Sequence, residues 1–327
     1  MDNSSLKNNG AQTDLAALIA ARFAARELEL FSRRRARAHG AGTRASLFRG
    51  RGLEFEEVRH YQAGDELRAI DWRVTARTGV AHTKLFREER ERPVLLMVDL
   101  RHTMGFGSVR RFKSVAAAEV AALLAWATLH NGDRVGGMVF GDHGHREIRP
   151  ARNRSSVLQL LHNIHDQCSA LATVYKDAGR GEAGQFQQAV LADMLAELRR
   201  VARPGAGIFL LSDFAGFDDA CARQLHLLCR HCDVNAIRFY DPLETALPDA
   251  GLLAFSNGHT RLELDTAANS LRMRFNAEHE AATQKLATSM TRYGVALRSL
   301  ATPDDAAAQL AQWFHPRASR APRQASP

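Results

Sequence analysis

The sequence predicts a doubly wound α/β domain with a mainly parallel sheet, and three observations carry that expectation. From Pro93 to Phe314 short apolar runs alternate with helical segments of roughly 12–20 residues, the pattern of right-handed βαβ units. The runs Val94-Leu95-Leu96-Met97-Val98 and Ile208-Phe209-Leu210-Leu211 are apolar without interruption, as strands covered on both faces must be. Both are followed by an aspartate, Asp99 and Asp213. Ligands of open α/β sheets bind outside the carboxyl ends of the strands, where strand order reverses, so these two carboxylates face each other if their strands flank that point.

Taken in order, Asp14 to about Arg37 is rich in Ala, Leu and Arg and free of Pro and Gly. It predicts one long helix capped by Asp14 and ending in the basic cluster Arg33-Arg34-Arg35-Ala36-Arg37. Residues 41–92 follow with Gly50, Gly52, Gly64 and Gly79 as punctuation and short β-like runs such as Val80–Phe86. After the strand at 94–98, residues 112–130 read as an apolar helix closed by Asn131-Gly132, and Val135–Phe140 as a second strand with Glu147–Arg149 turning back beside it. Val157–His165 reads as helix, 166–185 as a loose Gly-rich connection, and Phe186 to Ala202 as a helix stopped by Pro204-Gly205. The strand at 208–211, a helix near 218–230, a strand at Val234–Tyr240, β runs near 252–264, a long helix over 268–292, a strand at 295–300 and a helix at 304–314 complete the domain. The organisation expected is a basic N-terminal helix and arm over 1–44, an Arg/Glu/Trp module over 45–92, the α/β domain over 93–314 and a basic tail over 315–327.

Composition narrows the function classes. The chain has 327 residues, 45% hydrophobic and 24% charged, which is globular rather than disordered. It has no apolar run long enough to span a membrane, no apolar secretion signal and too few cysteines for a disulfide scaffold. A soluble, cytoplasmic protein is expected. The net charge of +8 resides at the two ends. Residues 1–50 carry +5 and 315–327 carry +3, so the body is neutral. A phosphate-binding domain needs a net basic face, and only the ends, chiefly 33–51, offer one. They read as solvated charge, or as a docking arm for a nucleic acid, an anionic surface or an acidic protein.

Residues 51–92 hold nine basic and nine acidic side chains, mostly interleaved, with Phe55, Tyr61, Trp72 and Phe86 among them. Aromatic residues at that spacing predict a packed module laced with ion pairs. The candidate pairs are Arg59 or Arg68 with Asp65 or Asp71, and Arg77 with Glu88 or Glu89. Such a set serves either as a salt-bridged platform fixed to the α/β domain or as a surface for partner recognition. No nucleophile–base pair stands out, so catalysis is not expected.

The order Gly50-x-Gly52-x-Glu54-Phe55, Arg59-x-Tyr61, Gly64-Asp65, Arg68-x-Ile70-Asp71-Trp72-Arg73-x-Thr75-Ala76-Arg77 and Phe86-x-Glu88-Glu89-Arg90 resembles the signature of the domain of unknown function 58 family. So do Phe112-Lys113-Ser114-Val115 with Ala117-Ala118, Gly132-Asp133-Arg134-Val135-Gly136, Leu211-Ser212-Asp213-Phe214 and Asp241-Pro242-Leu243-Glu244. The match runs from about residue 45 to 310. The resemblance implies a von Willebrand factor A-like fold, a soluble subtype of a family often anchored in membranes, and a MoxR-type AAA+ ATPase as partner in assembling or remodelling protein complexes. It marks Glu54, Arg59, Tyr61, Asp65, Arg68, Asp71, Trp72, Arg77, Glu89 and Arg90 as structural or partner-binding residues.

The resemblance also implies a metal-ion-dependent adhesion site: Asp-x-Ser-x-Ser after the first strand, a Thr from a second loop, and an Asp after the fourth strand. Such hard oxygens suit octahedral Mg²⁺. Here the first loop reads Asp99-Leu100-Arg101-His102-Thr103. Asp99 is kept, Thr103 stands for the second serine, Asp213 for the last aspartate, and Arg101 occupies the first serine's place. The second loop should fall within 166–186, with Thr173 early in it. The site is therefore degenerate. Either Mg²⁺ binds a reduced ligand set, or the Arg101 guanidinium lies between Asp99 and Asp213 as a substitute for the metal. Cys221, Cys229 and Cys232, with His226 and His231 nearby, lack the paired spacing of a zinc site and read as small buried residues. His143, His145, His162 and His165 show no ligand spacing backed by carboxylates. No Walker A motif is present. The expected function is a non-enzymatic protein-interaction module. Its rivals are binding of a nucleic acid or anionic surface through the basic N-terminal segment, and hydrolysis of a small substrate by a metal on Asp99 and Asp213.

Overall fold

A computed structural model describes residues 10–30, 53–62, 65, 67, 70–88, 91–178, 190–256 and 261–314. The chain forms two compact units, Arg34–Glu91 and the remainder.

The larger unit begins with α1 (Leu15–Ala20), capped by the Asp14 carboxylate, which accepts from the Ala16 amide at 2.9 Å. The expected long helix stops there. A 3₁₀ turn follows at Ala24–Glu27, and the chain then extends so that Leu28 and Leu30 join Leu18 and Ala25 in the core. Burial of residues that no single helical stripe aligns has overridden the local propensity.

The sheet strands are β3 (Pro93–Asp99), β4 (Arg134–Gly141), β5 (Gly144–Ala151), β6 (Gly207–Ser212), β7 (Asp233–Tyr240) and β10 (Ala296–Ala301), in the spatial order β10-β7-β6-β3-β4-β5. All neighbours are parallel except β4 and β5, which are antiparallel. The β4–β5 register shifts beside Gly136, where a Cβ would lie 2.6 Å from the Ile148 carbonyl oxygen, so only glycine fits.

Alternation along the strands feeds two cores. Val94, Leu96, Val98, Val139, Phe209, Leu211 and Phe239 pack under α3 (Lys113–His130), α4 (Arg154–Ala178), α9 (Ala306–Phe314) and the N-terminal segment. Leu95, Met97, Met138, Phe140, Ile208 and Leu210 pack under α5 (Leu191–Val201), α6 (Asp219–Cys229) and α8 (Asn269–Arg292). Each fully buried Leu, Val or Phe contributes roughly 1.5–3 kcal/mol relative to exposure. The sheet is doubly wound, as the apolar runs predict. Helix α3 is buried nearly all round because α1, α4 and α9 cover what the sheet leaves open.

One connection differs from expectation. Residues 166–178 continue α4 instead of forming a loose loop, because Ile164, Cys168, Leu171 and Ala172 keep the helical stripe in the core. Thr173 therefore lies on a helix, its hydroxyl donating to the Ser169 carbonyl, rather than on a loop at the sheet's end. Between β7 and β10 the chain makes α7 (Pro242–Thr245) and the hairpin β8 (Leu252–Ser256) and β9 (Arg261–Asp265) before α8. Among the described residues no helix is long and apolar enough to cross a membrane.

The smaller unit is an antiparallel pair, β1 (Leu53–His60) and β2 (His82–Glu88), with α2 (Trp72–Thr78) between them in sequence. The Asp71 amide donates to the His82 carbonyl and the His82 amide donates to the Thr75 hydroxyl, which ties the helix to β2.

Candidate functional site

Strand order reverses between β3 and β6: from β3 the chain moves to β4 on one side, and later returns to β6 on the other. Asp99 ends β3 and Asp213 follows β6, so both belong to the carboxyl ends of adjacent strands. Asp142 follows β4 and Asp241 follows β7 in the same way. Four neighbouring strands thus each present an aspartate at this edge.

Each carboxylate is satisfied from within. Asp99 is fully buried and takes the Arg101 guanidinium bidentately, Nε to Oδ1 at 3.0 Å and Nη2 to Oδ2 at 2.7 Å. The Ser212 hydroxyl donates to Oδ2 at 2.6 Å and the Arg101 amide to Oδ1 at 3.1 Å. Asp213 does not bond Arg101. It accepts from Lys113 Nζ at 2.9 Å and from the Ala215 amide at 3.0 Å. Lys113 Nζ also donates to Glu244 Oε1 at 2.6 Å. The expectation of one guanidinium between two aspartates needs this correction: two cations divide the work. Arg101 Nη2 also donates to the Ala215 carbonyl at 3.1 Å. Lys113 is brought in as the first residue of α3.

The other two aspartates are held differently. Asp142 accepts from the His102 amide at 2.7 Å and pairs with His102 Nδ1 at 3.0 Å. Asp241 accepts from the Ser108 amide and hydroxyl at 2.8 and 2.5 Å, from Thr302 Oγ1 at 2.5 Å and from the Leu243 amide. It also caps α7 in a capping box with Glu244, so one glutamate serves both the cap and Lys113. Phe214, next in chain after Asp213, has φ +57°, the left-handed region that a bulky residue enters at a cost. Its amide donates to Ser212 Oγ, and the turn sets Ala215 to donate to Asp213 and accept from Arg101.

The electrostatics follow from burial set against these partners. Burial pushes the Asp99 carboxyl above its ordinary value, with Arg101 working against it. Burial works to raise Asp213 too, but Lys113 and the Ala215 amide overcome it and hold the carboxyl low. Lys113 is held high by Asp213 and Glu244 against its own desolvation. The Asp142 hydrogen bond raises His102, with burial opposing.

These residues do not fit a bound Mg²⁺. Both oxygens of Asp99 are engaged by a guanidinium, and Asp213 carries an ammonium, so a divalent ion meets two resident cations where it needs open anionic oxygens. Thr103, expected as a ligand, has a buried hydroxyl without a hydrogen-bond partner, the one feature that suits coordination. Thr173 lies on α4. Among the described residues one other group, His145, Glu147 and Glu197, brings ligand atoms within 4.8 Å of one another, which sequence spacing did not reveal. Glu197 there pairs with Arg200.

Burial pushes the Cys168 thiol up to about 12 and those of Cys221 and Cys229 to about 11, so all three are held as neutral thiols.

In the module Arg59 pairs with Asp65 at 2.7 Å. Arg68, Glu89 and the Glu88 side chain, expected in the other pairs, lie outside what is described. Asp71 caps α2 through the amides of Arg73 and Val74. Arg77 is exposed, with no ion pair among the described residues. Trp72 is 70% exposed instead of supplying apolar contact, because it opens α2 on the face away from the half-buried Val74 and Thr75. Tyr61 is half-buried, its amide donating to the Ala81 carbonyl. Only the backbone of Glu54 is described, within β1. Arg68, Glu89, Arg90, the basic segment 33–51 and the tail 315–327 lie outside the described residues.

Sequence comparison matches residues 57–285 to the family model described as "Protein of unknown function DUF58". The uncharacterized protein Rv1480 of Mycobacterium tuberculosis is 28% identical over 280 residues, covering 84% of this chain and 83% of that protein. Among solved structures, the conserved hypothetical protein BatB from Bacteroides thetaiotaomicron is 13% identical with a TM-score of 0.41, over 67% of this chain and 95% of that one. The SpRpn10 VWA domain is 11% identical with a TM-score of 0.34, over 68% and 95%.

Proposed function

This chain belongs to the DUF58 family, and from that premise we propose that it is a non-enzymatic, cytoplasmic protein-interaction module that engages a MoxR-type AAA+ ATPase through the carboxyl edge of its sheet. The observation that supports this reading is the internal neutralisation of that edge. Asp99 and Asp213 stand at the carboxyl ends of adjacent strands, yet Arg101 and Lys113 occupy their oxygens. A carboxylate so engaged is a poor general base, and the carboxylates that hydroxyls reach there, Asp99 from Ser212 and Asp241 from Ser108 and Thr302, each accept from further donors. The edge is instead a rigid platform for loops that a partner can read. The loop after β3 presents Val109, 71% exposed, and Arg110 at its rim.

The test measures binding of a purified MoxR-type ATPase to the full chain. Val109→Asp should weaken it about tenfold, as loss of an apolar anchor does, with an unchanged melting temperature. Affinity should be equal in Mg²⁺ and in chelator, with the nucleotide state of the ATPase held fixed. Wild-type protein that melts higher with Mg²⁺ than with chelator would restore a true metal site with Arg101 swung aside.

A further inference from the structure

The outer face of α2 is exposed. Trp72, Arg73, Ala76 and Arg77 fall on one side of the helix and all four are exposed. Leu67 and Val80, which precede and follow the helix, are 67% and 51% exposed. Arg73 and Arg77 stand four residues apart, where like charges repel, and neither has an ion pair among the described residues. The carboxylate nearest in sequence, Asp71, accepts from the amides of Arg73 and Val74. An indole in water beside two unpaired guanidiniums is a costly arrangement for an isolated surface.

We infer that this face docks an acidic protein segment that carries a large apolar side chain. Carboxylates answer the two guanidiniums, which take them in planar, bidentate fashion. An aromatic or aliphatic anchor covers the indole. Trp and Arg are the residues around which binding energy concentrates at protein interfaces. A polyanion fits less well. Residues 53–91 contain seven basic and nine acidic side chains, and nucleic acids or anionic membranes need a basic field spread over many phosphates. Among the described side chains of this unit, the cations without an ion pair are Arg73 and Arg77, two charges on one short helix face. The residues of this surface are different ones from those at the strand ends, and its test does not involve the ATPase.

Because the occupant is defined by chemistry, the probe is a random peptide library displayed on phage. It is panned on the full-length protein, with counter-selection on the triple variant Trp72→Ala, Arg73→Glu, Arg77→Glu. Enriched peptides should share acidic residues around an aromatic or aliphatic one. A synthetic copy of the best binder should lose about tenfold or more in affinity toward Arg73→Glu/Arg77→Glu, as removal of paired interface charges does. It should also shift the tryptophan emission of the wild type to the blue, but not that of Trp72→Phe, since Trp126 is buried and Trp313 is packed partly buried against the core of the larger unit. Neutral or basic winners, affinity indifferent to charge reversal, or no enrichment over a bare surface would each overturn the inference. So would tighter binding by a single-stranded DNA or a phosphatidylserine vesicle than by the best peptide. A Trp72→Ala variant that melts more than about 5 °C lower would show the indole already covered by the fold, and the inference would fall with it.

Discussion

Arg101–Asp99 at the sheet's edge and Arg59–Asp65 in the module are the same chemical pair at the same separation, 2.7 Å. Their surroundings differ. The first pair is 9% and 0% exposed, the second 31% and 18%. At the edge, two ions have left water and every oxygen has found a second donor, so removing one partner leaves a charge that cannot be hydrated. In the module, water replaces a lost partner. Distance alone therefore says nothing about what an ion pair does. Burial and the remaining hydrogen bonds decide.

That contrast breaks down if substitutions in the two regions cost the same. The largest loss is expected for Lys113→Met, which leaves Asp213 buried without the cation bonded to it: about 3–5 kcal/mol by urea unfolding. A loss under about 1 kcal/mol, the range for exposed pairs, would mean that the edge is hydrated and the contrast false. Arg101→Ser should cost nearly as much in chelator. It also uncovers Asp99, adds a hydroxyl beside Thr103, and should let Mg²⁺ restore about 2.7 kcal/mol at a hundredfold excess over its dissociation constant. Rescue of Lys113→Met by Mg²⁺, with none for Arg101→Ser, would assign the ion position to the wrong cation.

Asp71→Ala sharpens the comparison from the module's side. As a helix cap rather than a buried ion, Asp71 should cost about 1 kcal/mol, and Asp71→Asn should recover most of it. The smallest effect concerns pH. His102 is raised above its ordinary 6.5 by Asp142, so its contribution is complete below that value and fades as pH rises through the higher folded value. The gap in melting temperature between wild type and His102→Asn should accordingly narrow between pH 6 and 9, and a constant gap would refute the charged pair. Arg59→Ala should be indistinguishable from wild type in the same scans.

Much of the fold was legible because its signals are periodic. Uninterrupted apolar strands, an alanine-rich helix too apolar to be exposed, and strand-end aspartates leave few alternatives to a doubly wound sheet. The failures share a cause. The helix expected through Arg37 ends at Ala20, and the loop expected after His165 is helix to Ala178. In both, the deciding contacts come from residues far away in sequence. The site was half visible. Asp142 and Asp241 follow apolar runs as plainly as Asp99 and Asp213 do, and that repeated pattern could have found them. Lys113 gave a weaker signal, a charge opening a helix whose other residues, Glu119 apart, are mostly apolar. Its partners lie 100 and 131 residues downstream, beyond any spacing rule.

The position of Lys113 has a consequence for inheritance. A cation at the first turn of α3 opposes the helix dipole, so only its two carboxylates make it tolerable there. Mutation at codon 113 alone is then punished, and relief has an address. Glu244 is one-third exposed and can turn to water, whereas Asp213 is 6% exposed and cannot. Second-site suppressors of a Lys113 defect should therefore arise at codon 213 as small neutral replacements, and not at 244. In descent, residues 113 and 213 behave as one character written in two places, and a lineage can lose them together far more readily than one at a time.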